Sequence, residues 1–148
     1  MEKVYSGIDR LPKGEAADRL TEGCIVLEGG AFRGVYGEGV LDALMEADLN
    51  FRCTIGVSAG ALNGATYVSG QIGRSARINL RYRHDSRYVG ARALRNNHGV
   101  IGFDFAFETL ERDDPFDRAR FMEPNRRFIA VAANCKTGET TYFEKGKC

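Results

Sequence analysis

Cys24-Ile25-Val26-Leu27-Glu28-Gly29-Gly30-Ala31-Phe32-Arg33-Gly34 and, further along, Phe51-Arg52-Cys53-Thr54-Ile55-Gly56-Val57-Ser58-Ala59-Gly60 decide how this chain reads. Each is a short apolar run that stops at glycine, the pattern of a strand buried on both faces. Between them, Val35, Val40, Leu41, Leu44 and Met45 recur at helical spacing, so 35–47 reads as a helix. Gly37 and Gly39 weaken that helix by roughly 0.5–1 kcal/mol each, which suggests a close backbone approach there. A helix rich in small residues is expected from Ala59 to Tyr67. Two successive strand–turn–helix units imply an α/β fold with a mainly parallel sheet and helices on both faces.

Working outward, residues 1–22 are polar and read as a leader with a short helix from Gly14 to Leu20. Residues 23–148 then form the domain. Residues 73–95 read as a strongly basic helix. Phe103 to Arg112 reads as a shorter one with Phe103, Phe107 and Leu110 on one side. Phe128 to Ala133 and Thr140 to Glu144 read as a hairpin turned at Thr137-Gly138-Glu139.

The 148 residues suit one domain, with 43% hydrophobic and 28% charged residues, as in ordinary globular proteins. A net charge of +1 does not favour a polyanionic partner, and no nucleic acid is expected. The first twenty residues hold no apolar core of a secretory signal, and no run reaches the ~20 apolar residues of a membrane span. The expected location is cytoplasmic. The four cysteines form no CxxC pair, so no metal site is expected. Cys24, Cys53 and Cys135 lie in or beside apolar runs and read as reduced, buried thiols.

Gly56-x-Ser58-x-Gly60 carries the strongest chemistry. A serine hydroxyl becomes a nucleophile when it projects from a sharp strand-to-helix turn and a base takes its proton. Such a turn crowds backbone against backbone, and glycine on either side removes the Cβ atoms that would clash. The alternative is that Ser58 merely caps the following helix.

The first glycine turn suits the complementary task. Acyl transfer builds charge on a carbonyl oxygen, and losing one pre-aimed N–H donor costs about 2.7–4 kcal/mol. Within the loop Gly29, Gly30, Ala31, Phe32, Arg33 and Gly34, the N–H groups of Gly30 and Ala31 are the expected donors, joined by that of Ala59. Arg33 could orient the loop by hydrogen bonds to its carbonyls. The rival reading is a nucleotide- or phosphate-binding loop. It lacks the acidic residue that would hold a ribose at the end of the next strand, and Asp48 sits before that strand.

A strand, the Gly29-Gly30-Ala31-Phe32-Arg33-Gly34 turn, a helix and then Gly56-Val57-Ser58-Ala59-Gly60 together resemble the patatin-like phospholipases, most nearly their bacterial predicted esterases. The resemblance covers about 24–145. It implies a three-layer α/β/α fold, here an incomplete copy, and hydrolysis of lipid or small acyl esters without metal or organic cofactor. By motif match Ser58 is the nucleophile, Gly56 and Gly60 flank its elbow, and the Gly29–Gly34 loop is the oxyanion hole. The family works with a Ser-Asp dyad whose aspartate sits in Asp-Gly-Gly or Asp-Gly-Ala. No Asp-Gly dipeptide occurs here, so the expectation is an N-terminal portion that lacks its general base and is nearly inactive. An incomplete sheet is also expected to leave an apolar face or edge open to self-association.

An internal triad would need Ser58, Asp85 and His98; His84 is the other histidine. The segment Arg74–Arg95 holds seven arginines against one acid, Asp85. It reads as a peripheral contact for anionic lipid headgroups, as a site for RNA phosphates, or as a solvated face neutralised by Glu108, Glu111, Asp113, Asp114 and Asp117.

Overall fold

The computed structural model describes residues 4–97, 99 and 101–147. The architecture is mixed α/β with a mainly parallel central sheet, the class expected. The chain divides into two compact units, one of residues 12–75 and 117–148 and one of residues 1–11 and 76–116.

The first unit is built on a four-stranded sheet ordered β2 (Leu20–Leu27), β3 (Asn50–Val57), β5 (Arg127–Ala133), β6 (Thr140–Glu144). β2, β3 and β5 run parallel, and β6 returns antiparallel as the hairpin partner of β5. Helix α1 (Gly34–Glu46) follows β2 and helix α2 (Ala59–Val68) follows β3. The expected helix at 14–20 is absent. Gly14–Glu15 instead forms strand β1, paired antiparallel with β4 (Gln71–Ile72), and β2 already begins at Leu20. Asn50 enforces this: its buried amide donates to the carbonyls of Ala17 at 3.0 Å and Arg19 at 3.3 Å, satisfying backbone that a helix would have paired internally.

Leu41 and Met45 of α1 and Tyr67 of α2 form one core with Ala16 and Ile72, against which Ile25, Leu27 and Phe51 pack. Both helices therefore lie on the same face of the sheet. The strands are buried on that face only, contrary to the two-sided burial read from their apolar runs. Val26 is 69% exposed and Tyr142 66% exposed on the other face. The alternation along β2 turns Ile25 and Leu27 to the helices and Cys24 and Val26 away from them.

Gly37 and Gly39 explain nothing by close packing, because a Cβ at either would meet no atom within 4 Å. The intimate helical glycine is Gly64 in α2. A Cβ there would come within 2.9 Å of Thr54 and 3.2 Å of Leu27 and Phe128, so α2 is seated directly on the sheet.

Two buried polar groups fasten α2. The Tyr67 hydroxyl donates to the Leu49 carbonyl at 2.5 Å and accepts the Phe51 N–H at 2.8 Å, joining the helix to the start of β3. Arg126 donates to the carbonyls of Tyr67 and Val68 at 2.9 and 3.0 Å. It thus brings positive charge to the negative end of the helix dipole. Burial lowers the guanidinium pKa to about 10, which leaves it charged at neutral pH.

In the second unit the single basic helix expected over 73–95 is two, α3 (Arg74–Tyr82) and α4 (Ala91–Asn97). The Val89–Ile101 bridge joins the chain before α4 to the chain after it. The turn Phe105–Thr109 is π-helical and runs into α5 (Leu110–Asp113). Leu110 is buried while Phe103 and Phe107 stack on each other in solvent, so these three do not share one buried side. No helix among the described residues is long and apolar enough to cross a membrane.

Tyr67→Phe would leave the Phe51 N–H and the Leu49 carbonyl without their side-chain partner. It is expected to cost about 1–3 kcal/mol, measured as a lower urea midpoint at unchanged denaturant slope.

Candidate active site

Ser58 joins β3 to α2. Its backbone takes φ 52 and ψ −122, one of three non-glycine positive-φ positions among the described residues, with Ala31 and Asp48. An L-residue holds such a conformation only where its surroundings impose it, at a cost of order 1–3 kcal/mol. The surroundings are two neighbouring glycines. A Cβ on Gly56 would stand 2.5 Å from the Gly60 carbonyl oxygen and 2.6 Å from Ala61 backbone atoms. A Cβ on Gly60 would stand 2.5 Å from the carbonyl oxygens of Leu27 and Glu28. The end of β3, the first turn of α2 and the end of β2 thus share a space with no room for side chains.

The consequence for Ser58 is exposure. Its side chain stands at the surface and makes no capping bond to α2, although the residue occupies the N-cap position. The capping alternative therefore fails, and the hydroxyl is left available. The bonds that open α2 run from the N–H groups of Ala61 and Leu62 to the Ser58 carbonyl, at 2.9 and 3.2 Å. The Ala59 N–H precedes them, in the first turn where helical donors lack intrahelical partners.

The other glycine turn lies alongside. A Cβ on Gly29 would be 3.2 Å from the Ser58 Cβ and 3.3 Å from the Val57 carbonyl oxygen, so the loop backbone runs against the elbow. Ala31–Arg33 forms a single 3-10 turn, with the Arg33 N–H bonded to the Gly30 carbonyl at 3.0 Å. Ala31 adopts φ 46. The Arg33 side chain folds back along Gly30, its Nε 3.4 Å from where a Cβ would sit, rather than hydrogen-bonding a loop carbonyl. Gly34 closes the loop. A Cβ there would be 3.2 Å from Ala59 Cβ, and Asn63 of α2 donates to the Gly34 carbonyl at 3.1 Å.

Asn63 is the positioning residue that sequence reading missed. One side-chain bond ties the start of α1 to α2 and thereby holds the two turns together. Its signal was an amide side chain among the small residues of the second helix. A second tie is Asp42, buried on α1, which accepts the Gly73 N–H at 2.7 Å.

The residues of the internal triad fare differently. The Asp85 carboxylate is committed to Arg87 at 2.6 Å within the second unit, and His84 is exposed. His98 lies outside the described residues. Among the described residues no cluster of His, Cys, Asp or Glu could hold a metal ion.

Gly60→Ala would drive a methyl group into two carbonyl oxygens and is expected to cost at least about 3 kcal/mol. Gly37→Ala, in open space on a helix, is expected to gain about 0.5–1 kcal/mol. Urea denaturation of the pair separates a glycine required by crowding from one that is not.

Comparison with known proteins places the chain in a family. The family model of patatin-like phospholipases matches residues 25–146, which takes in both glycine turns and the hairpin. YjjU, an uncharacterized protein of Escherichia coli (strain K12), is 28% identical over 123 residues, covering 80% of this chain and 34% of that protein. The chain thus spans about a third of that relative's length. With a family model matching most of its residues, the chain belongs to the patatin-like phospholipase family.

Proposed function

We propose that the chain carries the nucleophile and oxyanion hole of a serine acyl-ester hydrolase acting on lipid or small acyl esters. The observation that carries this reading is the strained, uncapped, exposed Ser58 set against the Gly29 backbone. In the proposed reaction Ser58 Oγ attacks the acyl carbonyl and its proton passes to a general base. The developing oxyanion is held by the N–H groups of Gly30, Ala31 and Ala59. Collapse expels the alcohol, and water releases the acyl group from Ser58. The loop of Gly29, Gly30, Ala31, Arg33 and Gly34 and the elbow glycines Gly56 and Gly60 are positioning elements. The base is assigned to an aspartate of an Asp-Gly motif, and the 148 residues contain no such dipeptide. It is therefore taken to come from outside them. The phosphate-loop alternative gives no use to the strain at Ser58.

Fluorophosphonate is expected to label Ser58 and not Ser58→Ala. Without its base, the chain should label about 10²–10⁴-fold more slowly than protein supplied with one. No labelling of either, with tight binding of inorganic phosphate, would overturn the hydrolase reading in favour of the anion loop.

We further propose that the substrate is met at an anionic lipid surface through the second unit. Of its arginines, Arg77 is held by Asp114 at 2.8 Å and Arg87 by Asp85, while Arg81, Arg83, Arg92 and Arg95 are exposed. Leu94, Phe103 and Phe107 stand in solvent in the same unit, Phe107 at 62% exposure. Exposed aromatic rings with unburied arginines suit an interface that is apolar below and negative above. The chain is expected to co-sediment with phosphatidylglycerol vesicles and not with phosphatidylcholine vesicles. Replacing Arg83, Arg92 and Arg95 by glutamine should weaken this on the order of a hundredfold, at ~1 kcal/mol each. Equal binding to both vesicle types, or binding to RNA alone, would remove the lipid reading.

A further inference from the structure

The sheet face turned away from α1 and α2 carries a pair of thiols that the hydrolase reading does not use. Cys24 of β2 and Cys53 of β3 are register partners, and Cys53 is in turn the register partner of Arg127 of β5. Register partners on adjacent strands share a face and lie about 4.8 Å apart, inside the 4.4–6.8 Å Cα range of disulfides. The Cys24 thiol donates to the carbonyl of Ile25 at 3.7 Å. Both are free, Cys24 exposed and Cys53 half-buried, which corrects the expectation that they are buried. Cys135 is exposed too but is not a register partner of another cysteine.

We propose that Cys24 and Cys53 form a redox-active dithiol in which peroxide closes a reversible cross-strand disulfide. Its place gives the bond a consequence. β2 leads into the Gly29 loop and β3 leads into Ser58, so the link staples together the two strands whose ends form the elbow and its neighbouring turn. Among the described residues β2 stands at the edge of the sheet, with β3 beside it. The proposal stands independently of the catalytic role of Ser58.

The register pairing brings the two sulfurs together, and either can react first. The thiolate of that cysteine attacks one peroxide oxygen and breaks the O–O bond. The cysteine becomes a sulfenic acid, and the departing hydroxide leaves as water. The sulfur of its register partner then attacks the sulfenic sulfur. The S–O bond breaks, the S–S bond forms, and the hydroxyl leaves as a second water with the proton of the partner thiol. Two thiols are oxidised by two electrons and one peroxide is reduced.

The test is peroxide treatment of the 148-residue chain, both wild type and a Cys135→Ser, Cys148→Ser background that leaves only this pair. The expected result is a monomer two hydrogens lighter, with a Cys24–Cys53 linked peptide that dithiothreitol dissolves. In that background Cys24→Ser and Cys53→Ser should each form no intramolecular disulfide and should accumulate a dimedone-trapped sulfenic acid on the remaining cysteine. Disulfide-linked dimers through Cys24 or Cys53, or sulfinic acid at Cys24 without a linked peptide in the wild-type chain, would overturn the proposal.

Discussion

Three pieces of backbone occupy a volume that leaves no place for a side chain: the carboxyl ends of β2 and β3 and the first turn of α2. Gly56 faces the Gly60 carbonyl and Ala61, and Gly60 faces the carbonyls of Leu27 and Glu28. Close contact of this kind is unforgiving, because interiors are packed near crystal density and backbone cannot yield as a long side chain can. The turn between β3 and α2 has to be completed in a single residue, and that residue is Ser58 at positive φ. Its exposure, the course of the Gly29 loop beside it and the aim of the first α2 amides all descend from this crowding.

The rest of the first unit keeps α2 where the crowding needs it. Gly64 lets the helix settle onto Thr54, Leu27 and Phe128. Tyr67 pins its far end to the entry of β3, and buried Arg126 satisfies its last carbonyls. Asn63 links it to the start of α1. Each of these polar groups bonds backbone of a different segment, and so fixes where α2 sits rather than merely adding stability. A helix held at both ends and along its length can maintain a strained residue at its N-terminus.

The opposite face of the sheet follows a different logic. Val26 and Tyr142 lie open there, and Arg127 is steadied by Glu144 at 2.8 Å. Two hydrogen bonds, from Arg127 and then Lys147, lower the Glu144 pKa to about 2, so its carboxylate stays charged across the physiological range. Cys24 and Cys53 lie in the same row as Arg127. The three-strand register brings a cation and two thiols together although they are far apart in the chain.

Some of this was legible in the order of residues alone. Strand–glycine–helix, twice over, identified the parallel pairing of β2 and β3, and the GxSxG spacing singled out Ser58. A one-residue reversal demands glycines at set distances, and that demand is written in one dimension. The hairpin of β5 and β6 was likewise local. Other features were decided only in three dimensions. Residues 14–15 and 20–22 became strands because β4 and Asn50 were there to pair with them. The apolar runs became one-sided because both helices seated on one face. Gly37 and Gly39 proved to be open, whereas Gly64 did not. Cysteine neighbours, the Asn63 tie and the Arg126 cap depend on which strands lie side by side and where a helix ends in space. Propensity and spacing carry information over a few residues; burial and long-range partners exist only once the chain has closed on itself.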